Sequence, residues 1–511
     1  MDPTGDHPSN PFSDPTYAAE QRSLVDESTL SVGRNASLTL GAESLIVLGP
    51  DEGFVEEPRF NCFESKKTRA VPYYNILWAE ITKVEITIHY ATPLGNKNVR
   101  AAYINYQLDQ SILDILDLAK KWTEKLLDRA YGKAQRNKRL KVLVNPKGGK
   151  GNASKLFTRD IEPIFAAARC TLDVEVTKYS GHGTDIAKDI DVDAYDAIAC
   201  CSGDGLPYEV FNGLGRKSNA AEALSKLAVC NLPCGSGNAM SWNLNGTGSP
   251  SMAALCVVKG LRMPMDLVSV SQGERRYLSF LSQAIGIVAE SDLGTDNIRW
   301  MGPARFTFGF LVRLLGKTTY PCDVAYKIEI ADKSNIKDHY HSAVSSSSEI
   351  GSDSNQIPIT SRSGLPPLKY GTTTSSLSSG WTPLTPFPNL GNLYTGNMCF
   401  MAPEAPFFPC ALPTDGYLDM VQIDGTIPRY TSFKLMLSVE KGTLMDQEPV
   451  NYRKISAYRV IPRFEGGYIS VDGEVIPFEE FQCEVHKGLG TVLSKNGRTY
   501  ESEGPKERRL S

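Results

Sequence analysis

The stretch CSGDGLPYEVFNGLG, residues 201–215, decides the fold that the sequence predicts. The apolar run YDAIACC before it, residues 195–201, indicates a buried strand, and the apolar spacing of EVFNGLG indicates a helix. Gly203 and Gly205 allow the chain to turn sharply between the two and to approach a ligand closely. Asp204 therefore lies where a helix N-terminus favours anions. It is a simple helix cap, an organiser of a metal at a phosphate site, or a general base.

Two further stretches repeat this order of an apolar strand and a glycine turn. LKVLVNPKGGKG, residues 140–151, ends in a turn with two lysines, and its spacing excludes a Walker A loop. LAVCNLPCGSGNAMSWNL, residues 227–244, gives a strand, a glycine turn and a helix. Because the carboxyl ends of parallel strands meet at one edge of a sheet, we expect the three turns to lie together there and to bind a ligand.

These motifs carry a family resemblance. NPKGGKG, SGDGLPYEV and PCGSGNA, in this order and at these spacings, resemble the diacylglycerol-kinase catalytic family, and within it the sphingosine or long-chain-base kinases. The resemblance extends from about residue 140 to 481 and is interrupted by one insert. It implies a three-layer α/β nucleotide-binding domain followed by an all-β, sandwich-like lipid-binding domain.

The composition of the whole chain excludes several classes of protein. With 511 residues and a net charge of −4, the chain has room for two or three domains, and it is neither a nucleic-acid binder nor a strongly cationic membrane binder. It has no apolar run long enough to span a bilayer and no secretory signal at its start. The eleven cysteines are scattered, and we expect reduced thiols. These features predict a cytoplasmic protein, and the resemblance to lipid kinases implies that it is peripherally associated with intracellular membranes or the plasma membrane.

Five segments are predicted from the composition and the hydrophobic pattern along the chain. Residues 1–36 form a disordered tail, and residues 37–132 form a β module with a C-terminal helix, a pleckstrin-homology-type module by analogy. The ATP-binding α/β domain spans residues 137–263, the β-rich lipid-binding domain spans 264–490, and 491–511 is a C-terminal tail. Within the β-rich domain, the Ser/Thr-rich residues 333–389 are predicted to be a disordered insert. Two strongly apolar helices, residues 305–316 and 429–442, are either ordinary core or, as the resemblance favours, walls of a tunnel for a lipid chain.

Phosphoryl transfer depends on holding the phosphates and neutralising their charge, so the lysines and glycine turns are candidates for the nucleotide site. Asp204 is the candidate catalytic base. With the roles that the resemblance implies, the predicted nucleotide-binding residues are Asn145, Lys147, Gly148, Gly149, Lys150, Thr177, Ser202, Gly203, Gly205, Glu209, Gly235, Ser236, Gly237, Asn238, Arg299, Arg305, Asp472, Gly473 and Glu474. No direct protein ligand for a metal is predicted, and Mg²⁺ is expected to arrive with ATP.

The resemblance also implies a site for the lipid head group. Asp292 matches the carboxylate that meets the amine of a sphingoid base, and Ser282 matches a polar partner of the head group. Glu290 stands two residues before Asp292, so the choice between the two carboxylates stays open. In an extended run both would face the same side.

The expected activity is transfer of the γ-phosphate of ATP to the primary hydroxyl of a sphingoid base, at a membrane surface and without nucleic acid. A ceramide or diacylglycerol kinase, an NAD kinase and a catalytically silent lipid-binding scaffold are the alternatives. GSGNA and Asp292 favour the free base, and the retained Asp204, Lys150 and VDGE turn disfavour a silent scaffold. The oligomeric state is left open, with a homodimer as one alternative.

Overall fold

The computed structural model describes residues 28–33, 36–49, 67–149, 151–294, 319–349, 364–403 and 405–506, together with residues 309, 312 and 316. The described residues form two compact units, one of residues up to 137 with 163–169 and one of residues 138–162 with those from 170 onward. Within these ranges, no helix is long and apolar enough to cross a bilayer.

The first unit contains two antiparallel sheets and a helix. Four strands form one sheet in the order β1-β2-β3-β4, and three form the other in the order β5-β6-β7. The elements are β1 (Thr29–Val32), β2 (Ala36–Leu40), β3 (Ser44–Gly49), β4 (Lys67–Pro72), a 3₁₀ turn (Tyr73–Asn75), β5 (Ile76–Ile81), β6 (Glu85–Leu94), β7 (Asn98–Gln107) and α1 (Ile115–Tyr131). The likeness to a pleckstrin-homology module stays a prediction.

The prediction of disorder up to residue 36 is wrong at its end, because β1 lies inside that segment. Leu30 and Val32 are 4% and 0% exposed, so this short alternating strand is held by burying its apolar side chains. The ring N–H of Trp122 on α1 donates a hydrogen bond of 3.1 Å to the carbonyl oxygen of Ser28 at the start of the strand. Residues 28–33 and 36 therefore belong to the folded module, and residues 1–27, 34 and 35 lie outside the described residues.

The second unit begins with alternating strands and helices. Its parallel strands lie in the order β11-β10-β8-β9. In chain order the elements are β8 (Arg139–Val144), α2 (Ala153–Leu156), a π turn (Phe157–Ile161), α3 (Glu162–Ala167), β9 (Thr171–Val176), α4 (His182–Asp189), β10 (Ala197–Ser202), α5 (Gly205–Gly215), α6 (Ala220–Lys226), β11 (Ala228–Pro233), α7 (Ala239–Asn245) and α8 (Pro250–Lys259). From residue 163 onward, α3 belongs to the first unit. This is the parallel α/β arrangement that the apolar runs and glycine turns predict.

The rest of the unit is rich in antiparallel strands. The strands are β12 (Leu261–Gln272), β13 (Arg275–Ser279), β14 (Ser282–Gly286), β15 (Cys322–Ile330), β16 (Thr385–Phe387), β17 (Leu390–Gly396), β18 (Phe400–Ala402), β19 (Ala405–Pro406), β20 (Leu418–Asp424), β21 (Asn451–Pro462), β22 (Ile469–Val471), β23 (Glu474–Ile476) and β24 (Phe481–Ser494). The helices are α9 (Ile287–Leu293), α10 (Lys333–Glu349) and α11 (Arg429–Glu440), with a 3₁₀ turn at Leu444–Asp446.

Strand β24 joins the two halves of this unit into one sheet. It pairs parallel with β11 through Val492 and Val229, and antiparallel with β12 and β21. The predicted boundary near residue 263 therefore separates a mainly parallel part of one continuous sheet from a mainly antiparallel part. The prediction of a C-terminal tail from residue 491 is wrong in part. The strand runs to Ser494, Tyr500 is 4% exposed, and the Glu501 N–H donates to the Asn243 carbonyl oxygen at 2.7 Å.

Two apolar clusters fill the unit. The larger joins α4–α7 to the β-rich half, with Phe211 and Phe280 in ring contact at 5.5 Å. The smaller collects inward residues of the antiparallel strands, such as Val324, Leu393 and Phe481. Because strands far apart in the pairing order meet in this second cluster, the antiparallel part of the sheet curls over itself. The predicted sandwich-like arrangement stays a prediction.

The prediction of a disordered insert over residues 333–389 is wrong for its described parts. Residues 333–349 form α10, whose Ile336 is fully buried in the larger cluster. Residues 364–389 run along the sheet, where the buried Glu484 carboxylate accepts hydrogen bonds from the N–H groups of Lys369 (2.9 Å) and Tyr370 (3.0 Å). Serine- and threonine-rich composition lowers the apolar content but leaves the backbone groups free to bond to the sheet. Residues 350–363 lie outside the described residues.

Replacing Glu484 tests whether this segment is part of the folded unit. Glu484→Ala removes the acceptor of two backbone N–H groups, so we expect the free energy of unfolding to fall by about 2 kcal/mol. Glu480 is exposed and lies four residues earlier in the chain. Glu480→Ala is therefore the matched control and should change the free energy of unfolding little. Chemical denaturation measures both, and equal stability of the two variants would show that residues 364–389 are not held by the sheet.

Candidate active site

The turns after β8, β10 and β11 lie side by side, because the three strands are parallel and in register. Cys201 is paired with Val144, and Ser202 with Pro233. The backbone bonds continue past the strand ends: the Asn145 N–H donates to the Cys201 carbonyl oxygen, and the Cys234 N–H to that of Ser202, both at 3.1 Å. The structure thus brings together the three glycine turns that the sequence singled out.

The turns touch through backbone atoms, which only glycine permits. A methyl group on Gly235 would lie 2.3 Å from both the N and the Cα atoms of Gly203. Gly149 has a φ of +59°, and a methyl group there would lie 2.8 Å from the carbonyl oxygen of Cys234. Any side chain at either position would push the turns apart. The result is a shallow surface of backbone groups, suited to a ligand that approaches the main chain closely.

The turn after β11 is closed by Asn238. Its Oδ1 accepts from the Gly235 N–H at 3.1 Å, and its Nδ2 donates to the Gly235 carbonyl oxygen at 2.9 Å. Ser236 at the tip of the turn is exposed, and a methyl group on Gly237 would lie 3.4 Å from Oδ2 of Asp204. Asn238 therefore shapes the turn, Ser236 is exposed at its tip, and Gly237 lies against the Asp204 turn.

The turn after β8 is held in the same way by Asn145. Its Oδ1 accepts from the Lys147 N–H and its carbonyl oxygen accepts from the Gly148 N–H, both at 3.0 Å. The Lys147 side chain is exposed at this turn. Thr177, at the end of the neighbouring β9, is buried, and its N–H donates to the Val144 carbonyl oxygen. Lys150 lies outside the described residues.

Asp204 connects two of the turns. It precedes α5 as its N-cap residue, and its carboxylate accepts hydrogen bonds of 2.9 Å from the N–H groups of Ala239 and Met240, at the start of α7. Each oxygen uses one acceptor site and keeps another for a substrate. Burial raises the pKa of the Asp204 carboxyl above its ordinary value of 3.8, and the two N–H groups oppose this rise.

Glu209 has a different role from the predicted nucleotide contact. It lies in the second turn of α5, and its two carboxylate oxygens accept from the N–H groups of Gly181 (2.9 Å) and Gly183 (2.8 Å). These donors lie at the N-terminus of α4, where a carboxylate is stabilised by the helix dipole. Glu209 therefore fixes the loop between β9 and α4.

Asn231 was missed by sequence reasoning, because a polar residue within an apolar strand carries no motif. It is fully buried on β11, and its Nδ2 lies 3.3 Å from the Ser202 carbonyl oxygen and 3.4 Å from that of Gly203. Through these two contacts, Asn231 supports the turn that carries Asp204.

The β22–β23 turn reaches the same place from the β-rich half. Asp472 has a φ of +54°, and its buried carboxylate accepts from the Ser279 hydroxyl (2.6 Å) and from the N–H groups of Phe280, Leu281 and Ser282 (2.8–3.0 Å). Burial raises its pKa to about 6, against these donors. Asp472 thus shapes the turn between β13 and β14. Its neighbour Glu474 faces α5: a methyl group on Gly205 would lie 2.8 Å from Glu474 Oε1.

The two candidate carboxylates for an amine lie on a helix, so the expectation of an extended run is wrong. Gly286, with a φ of +103°, ends β14, and α9 begins at Ile287. Residues two apart on a helix point to opposite sides. Asp292 faces Gly473, where a methyl group would lie 3.7 Å from its Oδ2. Glu290 instead lines a cavity of about 640 Å³ with Tyr320 and Tyr468.

A tyrosine that sequence reasoning missed completes this region. The hydroxyl of the buried Tyr394, on β17, lies 3.4 Å from the Oγ of Ser282, and burial raises its pKa together with the charges of Asp292, Asp472 and Asp204. Its ring packs against those of Phe407 and Phe408. A tyrosine within a β-rich segment carries no local sequence signal that its hydroxyl will lie beside Ser282. The predicted Arg299 and Arg305 lie outside the described residues.

Comparisons with known proteins show the family of this chain. Residues 139–270 match the family model of the diacylglycerol kinase catalytic domain, and residues 28–132 match a domain of unknown function, DUF7493. Sphingoid long chain base kinase 4 of Schizosaccharomyces pombe is 32% identical over 431 residues, which cover 83% of this chain and 88% of that protein. The chain belongs to the sphingoid long-chain base kinases.

Other relatives place the chain in the same family of kinases. Sphingoid long chain base kinase 5 of Saccharomyces cerevisiae is 36% identical over 434 residues, which cover 74% of this chain and 62% of that longer protein. Sphingosine kinase 1 of Arabidopsis thaliana is 30% identical over 387 residues, covering 70% and 76%. Among solved structures, a putative diacylglycerol kinase from Bacillus anthracis covers 71% of this chain and 97% of its own, with 18% identity and a TM-score of 0.48.

The contact between turns in this long-chain base kinase can be tested at Gly235. Gly235→Ala places a methyl group against the backbone of Gly203, so we expect the free energy of unfolding to fall by about 3 kcal/mol or more. Gly237→Ala, two residues later, meets only one carboxylate oxygen at 3.4 Å and should cost much less. Thermal unfolding of both variants checks the difference. An alanine tolerated equally at both positions would contradict the close approach of the turns.

Proposed function

We propose that this protein transfers the γ-phosphate of ATP to the primary hydroxyl of a sphingoid long-chain base, giving the 1-phosphate. The observation that carries the proposal is the position of Asp204, at the contact of three glycine turns and anchored to the N-terminus of α7. A proton acceptor beside a surface of backbone groups suits phosphoryl transfer, where the enzyme mainly holds phosphates and orients the nucleophile.

We place the nucleotide over the turns after β8 and β11. Gly148, Gly149, Gly235 and Gly237 let the phosphates approach the main chain, and the exposed Lys147 supplies positive charge. Ser236 at the tip of its turn offers a hydroxyl from the other side. Sequence order and the resemblance add Lys150, Arg299 and Arg305 to the same role.

Magnesium fits as a companion of the triphosphate. Among the described residues there is no group of three or more His, Cys, Asp or Glu side chains that could hold a metal ion. An ion that arrives on phosphates needs only one or two protein carboxylates, and Glu474 beside Gly205 offers one. When bound, the ion neutralises charge on the phosphates.

Asp204 takes the proton of the attacking hydroxyl in this proposal. The N–H groups of Ala239 and Met240 hold the carboxylate in one orientation, and burial raises its pKa, which makes it a better proton acceptor. The base must be ionised to act. Activity should therefore fall as the pH drops through a pKa above 3.8.

The head group of the sphingoid base is placed between Asp292 and Ser282. The carboxylate of Asp292 lies beside the Gly473 turn and does not line the cavity that Glu290 lines. An ammonium group meeting this carboxylate would bring the neighbouring primary hydroxyl toward Asp204. Ceramide and diacylglycerol lack that ammonium group. Because sphingoid bases are membrane lipids, we place the enzyme in peripheral contact with a membrane.

Asp204→Asn tests the base. We expect turnover to fall by ~10²–10⁴, the usual contribution of a positioned proton acceptor. Because asparagine can accept from only one of the N–H groups of Ala239 and Met240, the free energy of unfolding should also fall by about 1–3 kcal/mol, so turnover is compared on folded protein that still binds ATP. Asp185→Asn, on the exposed side of α4, is the matched control. Steady-state kinetics and ATP binding by calorimetry measure both variants. Turnover of Asp204→Asn close to that of the control would remove Asp204 from the mechanism.

Asp292→Asn tests the choice of substrate. A buried charge pair broken on one side costs roughly 3–5 kcal/mol, so we expect the KM for sphingoid bases to rise at least a hundredfold while the KM for ATP stays the same. Glu290→Gln is the matched control, because the helix turns Glu290 toward another cavity. If Glu290→Gln raised the KM for sphingoid bases more than Asp292→Asn, Glu290 would be the partner of the amine. If neither change raised that KM, the assignment of a sphingoid base as substrate would be wrong.

A further inference from the structure

Helix α11 carries its apolar residues on the outside. Tyr430, Phe433 and Leu437 are 69%, 39% and 37% exposed. Their spacing of three and four residues places them on one face of the helix. A surface helix of a globular protein normally has the opposite pattern, with polar residues outward and apolar residues toward the core.

The fold does not need this outward stripe. The opposite side of α11 already buries Leu435 and Val439, which are 5% and 7% exposed and pack in the larger apolar cluster. The same cluster contains Tyr394, whose hydroxyl meets Ser282. The helix is therefore anchored by its inner face to the core, and its outer face is exposed.

Positive charge borders the stripe. Lys434 and Lys441 are exposed on the same outward side, and the Lys434 Nζ lies 4.6 Å from the centre of the Tyr430 ring. Arg429 at the start of the helix is also exposed, and Glu440 is the one exposed acid within α11. Lysines beside apolar and aromatic residues are typical of helices that lie in a bilayer interface, where the apolar side chains enter and the lysines stay at the headgroups.

We propose that the outward face of α11, formed by Tyr430, Phe433, Lys434, Leu437 and Lys441, docks on an anionic membrane surface. A protein partner would not require the basic border, whereas an anionic bilayer complements both the apolar stripe and the lysines. The biological use of this surface rests on the proposed function, since a lipid kinase must take its substrate from a membrane. Docking itself does not depend on catalysis and is measured separately.

The test is sedimentation of the full-length protein with vesicles of phosphatidylcholine alone or mixed with phosphatidylserine. Phe433→Ser with Leu437→Ser should weaken binding to the mixed vesicles at least about tenfold. Lys434→Gln with Lys441→Gln should weaken it by about fivefold for each lysine, and only when phosphatidylserine is present. Leu113→Ser with Leu118→Ser, at apolar positions of the first unit that are more exposed than Phe433 and Leu437, is the control and should bind as the wild type does.

Phosphorylation assays distinguish a loss of membrane docking from a loss of catalysis. With a short-chain, monomeric sphingoid base, the Phe433/Leu437 variant should keep wild-type kcat/KM, and with vesicle-borne base it should lose activity in parallel with binding. Unchanged vesicle binding overturns the proposal, and so does an equal loss on the monomeric base, which would make α11 a wall of the lipid path. Vesicle binding without any kinase activity in the wild type would contradict only the proposed function.

Discussion

The site depends on one interaction, the paired hydrogen bonds from the N–H groups of Ala239 and Met240 to the carboxylate of Asp204. They join the turn after β10 to the helix after β11, across the line where Gly203 and Gly235 touch. A carboxylate at a helix N-terminus satisfies donors that have no partner within the helix. The residue proposed as the base therefore also holds the glycine turns in place.

A second anchored carboxylate holds the far side of the site. Asp472 gathers the Ser279 hydroxyl and three backbone N–H groups, and so sets the position of Ser282, while the next residues of its turn reach Gly205. Strand β24 carries the sheet from one half of the unit to the other, through Val492 beside Val229 and Cys483 beside Tyr458. The two carboxylates are thus parts of one sheet framework, which favours a fixed distance between the Asp204 turn and the Asp472 turn.

The parallel half of the fold and its glycine turns could be predicted from the sequence, because their causes are local. An apolar run, a glycine turn and a helix follow one another within about fifteen residues, and parallel pairing places the turns together. The carboxylates of Glu209 and Asp472 could not be placed, because their donors at Gly181, Gly183 and residues 279–282 are distant in sequence. No local pattern marks such a partner.

Two errors had physical causes of the same kind. Residues 364–389 look disordered by composition, yet their backbone bonds to Glu484 and neighbouring strand residues, which composition does not report. Residues 287–293 look like the continuation of a strand, but the positive φ of Gly286 ends it and a helix follows. That change separates Asp292 from Glu290 and gives the amine a single candidate partner beside the β22–β23 turn.

The most direct test is a transfer assay with purified protein, Mg²⁺ and γ-labelled ATP, offering sphingoid bases, ceramide, diacylglycerol and NAD in parallel and resolving the products by chromatography. The account predicts label on the free bases and none on the other acceptors, because only a free base brings an ammonium group to Asp292. Label on ceramide or diacylglycerol at a comparable rate would contradict the head-group assignment, and label on NAD would contradict the lipid site itself.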